Sequence, residues 1–210
     1  MATIREEQRA LTRRRVLEAA ARVFARRGFH GASVQEIARE AGATTGAIYS
    51  NFAGKEDLYL AVFDEHVATQ IREYTERFAR GRGVDERSRG GADYWMAQLR
   101  DDPDFFPLYM EFWAHAIRDP QLRPRFAERF AAFRETFARQ VEEGARDVGL
   151  EPPPGFAARM GTVLNALGNG LAMEKLTDPD AVPDELLGDT ISMIFNALVI
   201  AARSEEGMSP

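Results

Sequence analysis

A chain of 210 residues, 45% hydrophobic and 29% charged, can bury the core of one large or two small domains and has an ordinary globular composition, not that of a disordered chain. It has no cysteine, which excludes disulfides, thiolate metal sites and cysteine nucleophiles. The net charge of −6 argues against nucleic acid as a whole-chain value, but residues 1–55 carry +5 and the remainder −11, the asymmetry of a chain that meets phosphates at one end.

The apolar spacing Leu17, Ala20, Ala21, Phe24 predicts a first helix over Thr12–Arg27, with Thr12 as its cap and Gly28 as its left-handed stop. Ser33 opens a second helix. Ser33 and Glu36 have the spacing of a capping box, Val34, Ile37, Ala38 and Ala41 form its apolar stripe, and Gly42 ends it. Thr44 caps a short third helix running to about Asn51. From Lys55 to about Arg80 no Gly or Pro interrupts the chain, and Gly81–Gly83 breaks it. Further helices are predicted over 92–100, 104–118, 122–147, 156–176 and 184–203. Pro103, Asp119–Pro120, Pro152–Pro154 and a Pro/Asp linker separate the later ones. No alternating strand pattern and no internal repeat is present. The expected fold is all-α with about nine helices, divided into residues 1–54 and 55–210.

Two short helices joined through a glycine turn are the helix-turn-helix arrangement, whose second helix enters the major groove. Such a helix needs small or polar residues at its start, because bulky ones hold the backbone away from the base edges. Thr44, Thr45, Gly46 and Ala47 meet that need. Gly46 costs about 1 kcal/mol relative to alanine inside a helix, and close approach to DNA would account for it. The Tyr49 phenol can reach a phosphate, and Lys55 stands at a helix start. Ile48 and Phe52 are expected in the core.

The segment Ser33–Leu58 resembles the DNA-binding domain of the TetR family of bacterial transcription regulators. Gly28-Phe29, Gly42, Thr44, Gly46, Ile48-Tyr49, Asn51-Phe52, Lys55-Glu56 and Leu58 follow its pattern. Within that string the departures are mild: Ala43, Thr44 and Asn51 stand where a branched apolar residue, a serine and a histidine are common. The resemblance implies a homodimer, a palindromic double-stranded DNA operator, and a carboxy-terminal helical domain that binds a small molecule. It makes Ser33, Thr44, Thr45, Gly46, Tyr49, Asn51 and Lys55 the DNA-facing candidates, with Ala47 added by its size.

Beyond the motif, Phe105, Phe106, Tyr109, Met110, Phe112, Trp113 and His115 crowd one helix. Aromatic rings with methionine suit either a core or an adaptable pocket, so Phe106, Tyr109, Met110, Trp113 and His115 are ligand candidates. Asn165 and Asn169 join them, since amides in an apolar helix need a ligand, a partner subunit or local backbone. Gly161, Gly168 and Ala172 make a small-residue seam, and Leu187, Ile191, Ile194 and Leu198 an apolar ridge. Together they are the candidate dimer surface, through a four-helix bundle or, alternatively, packing within one chain.

The three histidines show no metal-ligand spacing. No phosphate loop, nucleophile elbow or credible triad points to an enzyme or a cofactor. No apolar run approaches the about 20 residues of a membrane span, and the start MATIREEQRALTRRR has no apolar centre of a secretory signal. A cytoplasmic, ligand-released repressor is therefore expected. An effector-independent architectural DNA-binding protein of the same fold is the alternative.

Overall fold

The computed structural model describes residues 3–206. Among the described residues it contains nine helices and no strand: α1 (Ile4–Gly31), α2 (Val34–Ala41), α3 (Thr45–Tyr49), α4 (Lys55–Arg80), α5 (Gly83–Asp101), α6 (Phe105–Ala116), α7 (Leu122–Asp147), α8 (Phe156–Thr177) and α9 (Leu186–Glu206). The expected all-α architecture holds.

Two starts lie earlier than the periodicity predicts. Thr3, not Thr12, caps α1, because Thr3 and Glu6 close a complete capping box. Thr12 sits inside the helix, its hydroxyl donating to the Gln8 carbonyl at 2.9 Å. Helix α5 begins at Gly83, nine residues before the predicted start, and runs through Gly90–Gly91. Gly91 is crowded there: a Cβ on it would lie 2.7 Å from the Tyr74 ring. At α2, Ser33 accepts the Glu36 N–H at 3.2 Å, while the Glu36 carboxylate pairs with Arg27 at 3.4 Å. The reciprocal arm expected of that box is thus used to tie α2 to α1.

The chain forms two compact units, residues Met1–Thr69 with Asp104–Phe126, and residues Gln70–Pro103 with Ala127–Pro210. The cut falls within α4, and α6 belongs to the first unit, well downstream of the 54/55 boundary drawn from the motif. In the first unit Val16, Leu17, Ala20, Val23 and Phe24 bury the inner face of α1. Phe29, Tyr59, Phe63 and Phe112 extend that core. Tyr59 stacks on Phe112 at 3.8 Å between centroids, and Phe29 meets Phe112 edge-on at 4.8 Å. Burial pushes the Tyr59 phenol well above its usual pKa, so it stays neutral.

The second unit is built on close helix contacts. A Cβ on Gly161 would lie 2.4 Å from the Arg134 carbonyl oxygen and 2.9 Å from the Ala138 nitrogen, so α8 crosses the α7 backbone there. The Trp95 indole N–H donates to the Gly168 carbonyl at 3.2 Å, joining α5 to α8. Arg89 of α5 pairs with Asp189 of α9. Leu187 and Ile191 are buried. Of the expected dimer seam, Gly161, Gly168, Ala172, Leu187 and Ile191 are buried within the single chain, the packing named as its alternative. Ile194 and Leu198 are half-buried. The exposed apolar residues are instead Val163, Met173 and Leu176 on α8, and Met193 and Ile200 on α9.

Candidate nucleic-acid interface

The short α3 exists because both ends are capped and its middle is anchored. Thr44, in extended backbone geometry, caps its start, accepting the Ala47 N–H at 3.1 Å. Ile48 and Phe52 are buried as expected. Gly42 turns the chain between α2 and α3 with φ of 59°, in the left-handed region. The residue before it, Ala41, is held by the Arg15 guanidinium, which donates to the Ala41 oxygen at 2.7 Å.

With Ile48 buried, Thr44, Thr45 and Gly46 are exposed and Ala47 is half-buried. The Tyr49 side chain stands out from the surface at 56% exposure. Among the described residues, a Cβ on Gly46 would meet nothing nearer than the Thr44 hydroxyl at 3.8 Å, so none of them requires glycine there. This row is small, uncharged and accessible, the surface that can approach base edges with a phenol beside it for a phosphate.

Three other DNA-facing candidates are engaged within the chain. The Ser33 hydroxyl caps α2. The Asn51 amide donates to the Ala47 carbonyl at 2.8 Å, and its oxygen accepts from Arg9 Nε at 3.2 Å. Arg9 also donates to the Ser50 carbonyl at 3.0 Å, which places a cation at the carboxy-terminal end of α3. The Lys55 ammonium donates to the carbonyls of Phe29, Ala32 and His30 at 2.9, 3.1 and 3.4 Å, and lies over the Phe29 ring at 4.6 Å. Its three protons hold the last turn of α1, beyond the kink at Gly28, and the residue that follows it. Among the remaining cations of the head, Arg22 and Arg26 share Glu40, whose carboxyl they hold below its usual pKa.

Sequence reasoning missed Glu111 of α6. Its carboxylate accepts the Phe29 N–H at 2.9 Å and the His30 N–H at 2.8 Å. No local pattern joins residues 82 positions apart. The only trace is Gly28, whose φ of 69° leaves the helical region.

The ligand candidates divide between the units. Phe106 and Tyr109 are buried, Met110 and His115 are half-buried, and Trp113 is 39% exposed; all five belong to the first unit. Tyr109 packs against Phe63 and Phe106 with centroids 5.9 and 5.5 Å apart. Burial raises its pKa. His115 Nε2 lies 3.9 Å from Glu56. Beside it His115, Arg118, Asp119, Pro120 and Gln121 line a surface depression of about 500 Å³. Asn165 and Asn169 lie in the second unit, and of the three partners their amides could take, Asn169 uses local backbone, donating to the Asn165 carbonyl at 2.9 Å. Among the described residues no group of three or more acidic or histidine side chains could hold a metal, and no helix is long and apolar enough to cross a membrane.

Comparison with known proteins agrees with the motif. Residues 16–62 match the family described as bacterial regulatory proteins of the tetR family. Residues 84–195 match the carboxy-terminal domain of BetI-type transcriptional repressors. The HTH-type transcriptional repressor AcnR of Corynebacterium efficiens is 29% identical over 149 residues, 67% of this chain and 72% of that protein. The HTH-type transcriptional activator FasR of Mycolicibacterium smegmatis is 30% identical over 107 residues, 51% and 47% of the two chains. The fold is shared with the transcriptional regulator FadR of Bacillus subtilis in complex with stearoyl-CoA, at a TM-score of 0.68 and 19% identity over 86% of this chain and 96% of that one. It is shared too with a Saccharomonospora viridis protein crystallised with choline, at a TM-score of 0.62 and 23% identity over 90% and 96%. With its amino-terminal motif and more than half its length matched to these family models, the chain belongs to the TetR family of transcriptional regulators.

Proposed function

We propose that the protein is a homodimeric repressor that binds a palindromic operator and releases it when a small molecule binds. The observation that carries this reading is α3, which presents Thr44, Thr45, Gly46, Ala47 and Tyr49 outward on a buried Ile48. In it Thr45 and the Gly46 backbone read base edges, and Tyr49 and Thr44 hold phosphates. Ser33, Asn51 and Lys55 act by orienting the motif, since their polar groups are already engaged. Repression is favoured by likeness to AcnR, and the protein works in the cytoplasm with the chromosome.

The homodimer forms through α8 and α9. Val163, Met173 and Leu176 on one helix, and Met193 and Ile200 on the other, leave apolar surface exposed in the single chain. Two helices from each subunit make the four-helix bundle that buries it. The effector is a small, largely apolar molecule, read by Met110, Trp113 and His115, the members of the α6 candidate set that keep some exposure. Stearoyl-CoA and choline, bound by two proteins of the same fold, are the first probes. The response passes through α4, which follows the motif directly, with only Ala53 and Gly54 between Phe52 and Lys55.

The test is selection of bound duplexes from a random pool, followed by footprinting. Two half-sites about one helical turn apart, or a multiple of it, are expected, with affinity falling steeply as salt rises. A footprint with no two-fold repeat overturns the palindromic dimer. Operator affinity that no small molecule alters would favour the effector-independent architectural reading.

A further inference from the structure

We propose that Glu111 is a positioning residue for operator recognition, fixing from α6 the turn that leads into the helix-turn-helix; this rests on reading the chain as an operator-binding regulator. At Gly28 the backbone leaves helical geometry with φ of 69° and ψ of 175°. The next two N–H groups, of Phe29 and His30, both donate to the Glu111 carboxylate, one to each oxygen. Residue 28 is glycine on two grounds: its φ is positive, and a Cβ would lie 2.5 Å from Glu111 Oε2. On the other side of the same turn, Lys55 takes the carbonyls of Phe29, His30 and Ala32. An anion therefore holds the N–H groups and a cation the C=O groups of one five-residue turn.

The two charges do different work from the packing beneath them. The Phe29 ring is held against Phe112 and Tyr59, which keeps the turn docked without fixing its rotation. A carboxylate accepting two successive N–H groups does fix it, and hydrogen bonds to an ionised acceptor are about twice as strong as neutral ones. Ser33, the cap of α2, follows His30 by only three residues, and Ala32 N–H is itself tied to the Gly28 carbonyl at 3.3 Å. A rotation of the turn is passed to the start of α2, and α2 carries α3. The DNA-reading apparatus thus includes a side chain from α6, more than fifty residues beyond Tyr49 in sequence.

The experiment uses the full chain with Glu111→Gln and Glu111→Ala, the selected operator and a random duplex at one salt concentration. Glu111→Gln keeps the shape but turns one acceptor into a donor facing an N–H. Operator affinity is expected to fall about tenfold, with random-duplex affinity, helical circular dichroism and oligomeric state unchanged. Hydrogen exchange at the Phe29 and His30 amides should accelerate while Ile37 and Ala38 in α2 stay protected. A wild-type chain that prefers no duplex would sink the regulator reading itself. The clamp is overturned, with that reading intact, if both variants hold the operator within twofold of wild type, or if the two amides stay protected. Loss of helical signal in both variants would assign Glu111 to folding alone and also overturn the proposal.

Discussion

Helices α3 and α8 both carry glycine in their interiors, at a cost of about 1 kcal/mol each relative to alanine, and they use it in opposite ways. A Cβ at Gly46 of α3 would make only an ordinary contact with the Thr44 hydroxyl at 3.8 Å, whereas a Cβ at Gly161 of α8 would overlap the backbone of α7 at 2.4 Å. In α8 the small residue lets one helix of the chain approach another. In α3 no described residue crowds that position, which leaves it open to the approach of DNA proposed above. Composition alone cannot separate the two cases; what lies opposite the missing Cβ does.

The largest expected effect comes from closing the occupied space. Gly161→Ala places a methyl against the Arg134 carbonyl and Ala138 nitrogen, which backbone must move to admit. The helix-propensity gain is outweighed, and a net loss of about 1–3 kcal/mol is expected, read as a lower midpoint in urea. A neutral or stabilised Gly161→Ala would mean that α7 and α8 do not cross as closely as described. On the open side, Tyr49→Ala should leave stability within about 0.5 kcal/mol, since the ring is already in solvent, yet weaken operator binding about tenfold by removing a phosphate partner. Unchanged affinity would remove Tyr49 from the interface. Gly46→Ala sharpens the contrast further. It should stabilise the chain by up to about 1 kcal/mol while reducing operator affinity, and a variant that gains stability at full affinity would show that nothing approaches α3 at that point.

The readable part of the molecule was the part governed by local physics. Gly42, the Thr44 cap, the buried Ile48 and Phe52 and the break at Gly81 all follow from neighbours within about four residues, and the structure has each of them. The early starts of α1 and α5 were obscured because exposed polar residues and a Gly pair carry no apolar period. What could not be read was the use of ambiguous groups. Lys55 at a helix start suits a phosphate as well as three carbonyls of its own chain, and only the fold brings Phe29, His30 and Ala32 to it. The Gly161–Gly168–Ala172 seam fits a partner subunit or α7 and α5 equally in sequence. Glu111 is a single acid in an aromatic run, with its two N–H partners 82 and 81 residues away.

The smallest effect concerns how the closed side is held at its end. Lys175 near the carboxy terminus of α8 donates to the Val182 carbonyl at 2.6 Å and pairs with Asp184 at 2.7 Å, while Arg100 of α5 reaches the other Asp184 oxygen at 2.9 Å. The Lys175 hydrogen bond, with help from Arg100, holds the Asp184 carboxyl below its usual pKa. A carboxylate whose pKa is lower in the folded chain stabilises it fully above the unfolded value of about 3.9, and that contribution fades as pH drops through the folded value. Asp184 and Arg100 are exposed and Lys175 is half-buried, so the pairing is worth at most about 1 kcal/mol and weakens with salt. Asp184→Asn should therefore lower the thermal midpoint slightly at neutral pH, and the gap to wild type should close as the pH is taken below about 4. A gap that persisted at low pH would mean that Asp184 acts through packing or backbone geometry and not as the anion between two cations.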